Sequence, residues 1–376
     1  MGETRAWTAQ HQAAVERLRT SYAAIPVTRR VRLAKSTSNL FRPRSSTDSV
    51  GLDVSDLDGV IAVDAASRTA DVQGMCTYEH LVETTLRHGL MPLVVPQLKT
   101  ITVGGAVSGL GIESSSFRNG LPHESVTELD VLTGDGRLVT ATADNEASDL
   151  FAAFPNSYGS LGYATRLRIE LEPVRELVAL HHVRFRDLDA LTDALRHICT
   201  DREWQGQPVD FVDGVMFSLD EAYLTLAHWA DRLADAGSTA PSDYTGAQIF
   251  YRSIRERDGD VLSVHDYLWR WDTDWFWCSG AFGAQHPVVR RVWPARWRRS
   301  DVYHRLIGLE HRWQIARRIE KVRGKGPQER VVQDVEIPVE ETADFLRWFG
   351  GEVKMSPVWL CPLKLREPGC PGSARQ

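Results

Sequence analysis

Between Thr100 and Ser116 the chain reads TITVGGAVSGLGIESSS, and no other stretch limits its possible folds so closely. Glycines 104, 105, 109 and 111 and serines 114, 115 and 116 crowd one segment. Glycine lets a backbone approach another surface at unusual φ, and amides and hydroxyls donate to phosphate oxygens, so the segment suits a chain pressed against a diphosphate. Directly after it, RNGLPHESVTELDVLTGDGRLVTAT runs to Thr142, with apolar runs on both sides of a Gly134-Asp135-Gly136 turn. That pattern predicts a hairpin. GLGIES also offers Gly109-x-Gly111, the start of a dinucleotide fingerprint, but Ser114 stands at the third glycine position. No ribose-binding acid follows in a βαβ unit, so the clamp is not a Rossmann one.

The surrounding pattern agrees. Residues 7–22 have helical periodicity, with Val15, Leu18 and Tyr22 on one side. VRLAKSTSNLFRPR (31–44) predicts a short strand entering a polar loop, and Val60–Val63 and Ala70–Val72 predict paired strands. Thr77–His88 predicts a helix with Tyr78, Leu81, Val82 and Leu86 on its apolar face, closed by Gly89. Val126–Leu132 with Arg137–Ala141 predicts a strand pair, Asp149–Phe154 a helical turn, and a long alternating strand ends at Pro173. Strand pairs with single helices read as α+β. After Pro173, Leu177–Phe185 predicts a strand, Asp187–Cys199 a helix, and Asp210–Ser218 with Glu221–Ala227 an antiparallel pair. This suggests a second, ferredoxin-like or otherwise antiparallel unit. Residues 331–350 predict a strand followed by a helix. The expected division is 1–174, 175–363 and a disordered tail, 364–376, whose composition suggests a sequence that has lost its proper ending.

With 376 residues the chain can hold two sizeable cores, and a net charge of −6 gives no reason to expect nucleic acid. No run approaches the about eighteen apolar residues of a membrane span, and the N-terminus lacks a signal-peptide pattern. Five cysteines, odd in number and without metal-ligand spacing, read as reduced thiols and point to the cytoplasm. His181 and His182 resemble a metal pair, but adjacent strand residues face opposite sides, and no metal site is expected.

Most of the twelve tryptophans gather late in the chain, among them Trp269, Trp271, Trp275, Trp277, Trp293 and Trp297. One reading is core or interface; the other is the wall of a long apolar substrate pocket. Arg290, Arg291, Arg296, Arg298 and Arg299 accompany them, either as a solvated face or as a contact for anionic lipid headgroups, which would make the protein peripheral at a membrane.

In order, LDVSDLDGVIAVDAASRTADVQG, TITVGGAVSGLGIESSSFRNGL, LDVLTGDGRLVTAT and DLFAAFPNSYGSLGYATRLRIELEP resemble the PCMH-type FAD-binding domain of the vanillyl-alcohol oxidase fold. RLAKSTSNLFR, GIESSSFRNGL, MFSLDEAYLTL, SDYTGAQIFYRSI, YLWRWDTDWFWC and VWLCPL are similar to the delta(24)-sterol reductase branch and its actinobacterial relatives, over residues 30 to 363. The resemblance implies a two-subdomain FAD-binding domain followed by an antiparallel α+β substrate cap. It places the FAD diphosphate between two loops: Lys35, Ser36, Thr37, Ser38, Asn39 and Leu40 in one, and Thr102, Val103, Gly104, Gly105, Ala106, Gly109, Gly111, Ile112, Glu113 and Ser114 in the other. Ile169 falls where such folds pack adenine or ribose. Neither loop contains His or Cys, so the flavin is expected to be held non-covalently.

The same resemblance implies reduction of a lipid carbon–carbon double bond, with NADPH as electron donor. An isolated alkene has no carbonyl to stabilise a carbanion, so hydride delivery needs a Brønsted acid in a dry, aromatic-lined site. His265, Asp266, Tyr267, Asp272 and Asp274 are candidates, with Tyr267 and Asp272 favoured because apolar neighbours keep an acid protonated. The lipid is a methylene-branched fatty acyl chain or a sterol side chain. The alternatives are an FAD-linked oxidase or dehydrogenase of a sugar or alcohol, and a truncated flavoprotein without activity.

Overall fold

A computed structural model describes residues 2–35, 48–233, 240–313 and 334–366. The chain begins with α1 (Gly2–Ala23), whose Ala14, Val15 and Leu18 pack onto Leu52, Val54, Leu57 and Leu132. Next come β1 (Arg30–Ala34) and β2 (Ser49–Asp53), paired in parallel. The Arg30–Ala34 strand was expected; its Ser49–Asp53 partner was not.

A six-stranded sheet follows. It contains β3 (Val60–Asp64), β4 (Thr69–Gln73), β5 (Leu90–Pro92), β6 (Val126–Leu132), β7 (Leu138–Ala141) and β8 (Tyr163–Pro173), in the order β3-β4-β8-β6-β7 with β5 also on β8. β8 alternates: Thr165, Leu167, Ile169 and Leu171 are buried, while the intervening Arg166 and Arg168 face outward. On that outer face Arg166 pairs with Asp71 at 2.6 Å, Asp130 at 2.7 Å and Glu128. Helices α2 (Tyr78–Leu86), α3 (Val103–Gly109), α4 (Ser116–Asn119) and α5 (Ser148–Ala153) fill the connections. α2 starts at an N-cap, Thr77, and ends before Gly89, whose φ of 67° only glycine adopts without strain.

Three residues separate β8 from β9 (Leu177–Phe185), the first strand of a five-stranded antiparallel sheet. The unit continues with α6 (Leu188–Asp201), the short β10 (Glu203–Trp204) and β11 (Gln207–Pro208), then β12 (Phe211–Ser218) and β13 (Glu221–Ala230). Then come α7 (Phe250–Glu256), β14 (Gly259–Ser263), α8 (Val264–Leu268), α9 (Pro287–Val292), α10 (Ser300–Trp313), α11 (Thr342–Trp348) and β15 (Val358–Leu360). The sheet order is β14-β9-β13-β12-β15. One face packs on α6 and α11 through Leu191, Leu195, Ile198, Val212, Leu224 and Leu346. On the other, Phe211, Val215, Ala227, Phe250 and Trp271 belong to the same continuous core as Val72, Val103, Leu167 and Ile169 of the first unit. The α+β organisation expected from the strand-pair rhythm is therefore present in both units.

Two expectations need correction. Residues 334–338 are not a strand; they run extended into the turn that starts α11, because Pro338 and the neighbouring acidic residues favour a helix start over sheet pairing. The segment 364–366 is held in place: the Lys364 N–H donates to the Ser116 carbonyl at 3.1 Å, the Arg366 N–H to Glu124 at 2.8 Å, and the Arg366 guanidinium to Glu170 at 2.5 Å. Residues 367–376 lie outside the described residues.

Candidate functional site at the junction of the two units

The glycine-rich segment is less open than its composition suggests. Thr102 caps α3, accepting from the Gly105 N–H at 3.2 Å, while the Val103 and Gly104 N–H groups donate to the Cys76 and Gly74 carbonyls, both at 2.9 Å. The three amides at this helix start are thus committed to the protein. Gly104 serves a backbone contact, since a Cβ there would lie 2.7 Å from the Gly74 carbonyl oxygen. The serine hydroxyl oxygens also have partners within the protein. Ser115 donates to the Leu93 carbonyl at 2.8 Å, Ser116 accepts from the Glu113 N–H at 3.1 Å, and Ser114 shares a hydrogen bond with the Tyr267 hydroxyl at 2.9 Å. In this structure local capping and the second unit partner these groups.

Ser108–Ile112 is half-buried throughout, with the Leu110 and Gly111 N–H groups both donating to the Ala106 carbonyl. Gly109 there has open space, its nearest neighbour being the Tyr158 ring at 3.8 Å, and the Tyr158 N–H ties the facing loop to the Ser108 carbonyl at 2.9 Å. In that loop the Ser157 hydroxyl oxygen is buried without a partner among the described residues. Lys35 closes β1, while Ser36, Thr37, Ser38, Asn39 and Leu40 lie outside the described residues. Ala106 and Ile169 point into the core, and Ile169 sits on β8 opposite Ala70 and Val126. Cys76, beside the start of α3, is fully buried, and burial pushes its thiol far up. It offers no thiolate for a covalent flavin bond.

The end of the segment docks into the second unit. Glu113 accepts from Arg270 at 2.9 Å, and the same guanidinium reaches Asp213 of β12 at 2.8 Å. The Trp271 and Trp359 indole N–H groups also donate to Asp213, at 2.9 and 3.3 Å. Arg270 stacks over the Tyr267 ring, 4.1 Å from its centroid, and the Val212 N–H donates to the Ser114 carbonyl at 2.9 Å. Glu113, expected beside a diphosphate, is thus the first-unit half of a buried ion cluster. Arg270 and Asp213 were missed. The signal was present: an arginine inside the aromatic run YLWRW has no solvent to go to and needs an acid.

Tyr267 and Asp272 are both buried, but they are not brought together as a pair. Burial pushes the Tyr267 phenol well up, opposed by Arg270. Asp272 accepts from the Lys99 N–H at 3.0 Å and the Ser300 hydroxyl at 2.5 Å. Burial raises its pKa against these hydrogen bonds, and its geometry is that of a clamp between two loops. Asp274 is taken by Arg290 at 2.6 Å and by the Ser279 hydroxyl at 2.7 Å. His265 and Asp266 pair with each other near the surface.

Trp269, Trp271 and Trp275 are core residues, and Trp271 stacks on Phe276 at 4.9 Å, so the bland reading holds for these three. Trp277 and Trp293 are half-buried and Trp297 is exposed. The basic face is smaller than expected. Arg290 is a buried partner of Asp274, Arg298 donates to the carbonyls of Gly246 and Trp293 at 2.7 and 2.9 Å, and Arg299 pairs with Glu79 at 2.8 Å. Of the five, Arg291 and Arg296 remain exposed. His181 and His182 point to opposite faces as expected; His182 is buried, with Nδ1 3.0 Å from the Thr225 hydroxyl.

Residues 16–142 match the FAD binding domain, so the chain carries such a domain. Delta(24)-sterol reductase of Homo sapiens is 27% identical over 326 residues, covering 83% of this chain and 58% of that protein. The Pisum sativum delta(24)-sterol reductase is 25% identical, covering 84% and 56%. Cytokinin dehydrogenase 6 of Oryza sativa subsp. japonica is 38% identical over 127 residues, 34% of this chain and 24% of that protein. The chain thus spans less than two thirds of the length of the sterol reductases it matches. The resemblance drawn from the motifs holds for the FAD-binding domain and for the sterol reductase relatives.

Proposed function

We propose that this chain is an FAD-dependent reductase of a lipid carbon–carbon double bond. One observation carries the reading: similarity to delta(24)-sterol reductases extends over 83% of the chain, through both units, whereas similarity to the cytokinin dehydrogenase stops at 34%. That extent supports reading the cap as well as the flavin domain as reductase-like. Residues that fit the flavin are Ser108–Ile112 with the open side of Gly109, the Ser157 hydroxyl and Lys35 at the end of β1. When bound, the flavin supplies hydride chemistry. The protein's part is to exclude water and supply a proton, and the packed aromatic wall of Trp269, Trp271, Phe250 and Phe276 does the first. The Tyr267 hydroxyl, joined to Ser114, orients the flavin-side segment against the cap.

The electron donor we assign is NADPH, and the lipid a methylene-branched fatty acyl chain, with a sterol side chain as the second class of the same chemistry. Anaerobic addition of NADPH should bleach the flavin of the purified protein, and an alkene lipid of either class should restore the colour. Recolouring by a sugar or alcohol-derived product instead would favour the oxidase or dehydrogenase reading. We also assign peripheral contact with an anionic bilayer to the exposed Val288, Val292 and Trp297 with Arg291 and Arg296, a mixture of apolar anchors and cations that suits a headgroup layer. Among the described residues no helix is long and apolar enough to cross a membrane.

A further inference from the structure

Arg270 carries one positive charge and meets two carboxylates, Glu113 at 2.9 Å and Asp213 at 2.8 Å. The three side chains are 0%, 4% and 1% exposed. With both acids ionised, the cluster would hold an unbalanced negative charge away from water; it is neutral only if one acid keeps its proton. The hydrogen bonds decide which. Asp213 Oδ2 accepts from Arg270 and from the indoles of Trp271 and Trp359, and donors to a carboxylate favour its ionised form. Glu113 Oε1 accepts from Arg270, but Oε2 is buried with no partner among the described residues.

We propose that Glu113 keeps its proton on Oε2 at neutral pH and is the acid that protonates the alkene in the reduction proposed above, a reading on which this one rests. Burial raises the Glu113 carboxyl, Arg270 opposes and Asp213 reinforces the rise, and the Ser114 N–H and hydroxyl oppose it weakly. The remaining titratable neighbours stay neutral: burial holds both the Tyr267 phenol and the Cys361 thiol well above their usual ranges. Glu113 directly follows the half-buried Gly109–Ile112 backbone of the FAD-binding domain and reaches Arg270 of the second unit through Oε1, so its carboxyl stands at the junction of the two units.

The step balances. Glu113 would give its Oε2 proton to one alkene carbon as the π bond breaks; a bound reduced flavin, re-reduced by a nicotinamide, would supply the hydride that the other carbon takes. The carboxylate left behind is paired with Arg270, and its excess buried charge draws a proton back from solvent.

Two measurements test this. In flavin-free protein, infrared spectra at neutral pH should show a protonated-carboxyl stretch that is lost in Glu113→Gln; an unchanged spectrum overturns the assignment. In flavin-loaded protein reduced with dithionite, a sterol with a side-chain double bond or a methylene-branched fatty acyl ester should reoxidise the wild-type flavin. Glu113→Gln should do so about 100-fold more slowly or worse, with Glu113→Asp recovering part of the rate. Equal rates in wild type and Glu113→Gln overturn the acid role. If neither lipid reoxidises the wild type, the reductase reading fails and the acid role with it, while the infrared band still decides where the proton sits.

Discussion

Gly74 and Gly104 show how single residues set this fold. A Cβ on Gly74 would lie 1.9 Å from the Ala164 carbonyl, and one on Gly104 would lie 2.7 Å from the Gly74 carbonyl. Backbone against backbone leaves nothing flexible to yield, so Gly104→Ala should cost about 1–3 kcal/mol, read as a lower midpoint in urea unfolding. Arg270 is the only cation in contact with two buried acids among the described residues. Arg270→Met should cost about 3–5 kcal/mol in the same assay, because breaking a buried ionic cluster strands its partners. His182 adds a pH dependence. Burial lowers its pKa from 6.5 to about 4, so between those values the unfolded chain binds the extra proton and folding is weakened. Stability should fall by about 3 kcal/mol as pH drops from about 6.5 to about 4, and His182→Phe should flatten that slope. All three sites lie in patterns visible in the chain, yet only the fold decides what each residue touches.

At the scale of elements, periodicity was the reliable guide. β8 announces itself by alternation, β9, β12 and β13 by runs of strand-forming residues, and α6 by its Leu188, Leu191, Leu195 and Ile198 stripe. Asp187 caps α6, accepting from the Ala190 N–H at 2.8 Å. Asp187→Ala should therefore cost about 1 kcal/mol, measurable in denaturant with no change in the flavin spectrum. Elements that depend on distant partners were not legible. β2 exists because β1 lies beside it, and β15 is three residues held by β12. α3 forms from VGGAVSG, a poor helix former, because Thr102 caps it and the Gly74–Cys76 carbonyls receive its first amides. What reads as an open phosphate loop is thus partly a packed helix.

The whole molecule behaves as one body because a single core runs through both sheets and the Glu113–Arg270–Asp213 cluster pins the junction. Calorimetry of the full chain should show one endotherm; two well-separated ones would mean that the units fold independently. The sequence by itself determined the α+β strand-pair plan through local periodicity, and pointed to the flavin-type domain through motifs whose order resembles the FAD-binding family. Tertiary structure alone decided how the chemistry is distributed. It gave the serines of GIESSS hydrogen-bond partners within the protein, made Asp272 a clamp, and set one buried arginine between two acids. Those outcomes depend on which groups meet across hundreds of residues and on how many charges a dry site can hold, and neither is written in any local stretch of chain.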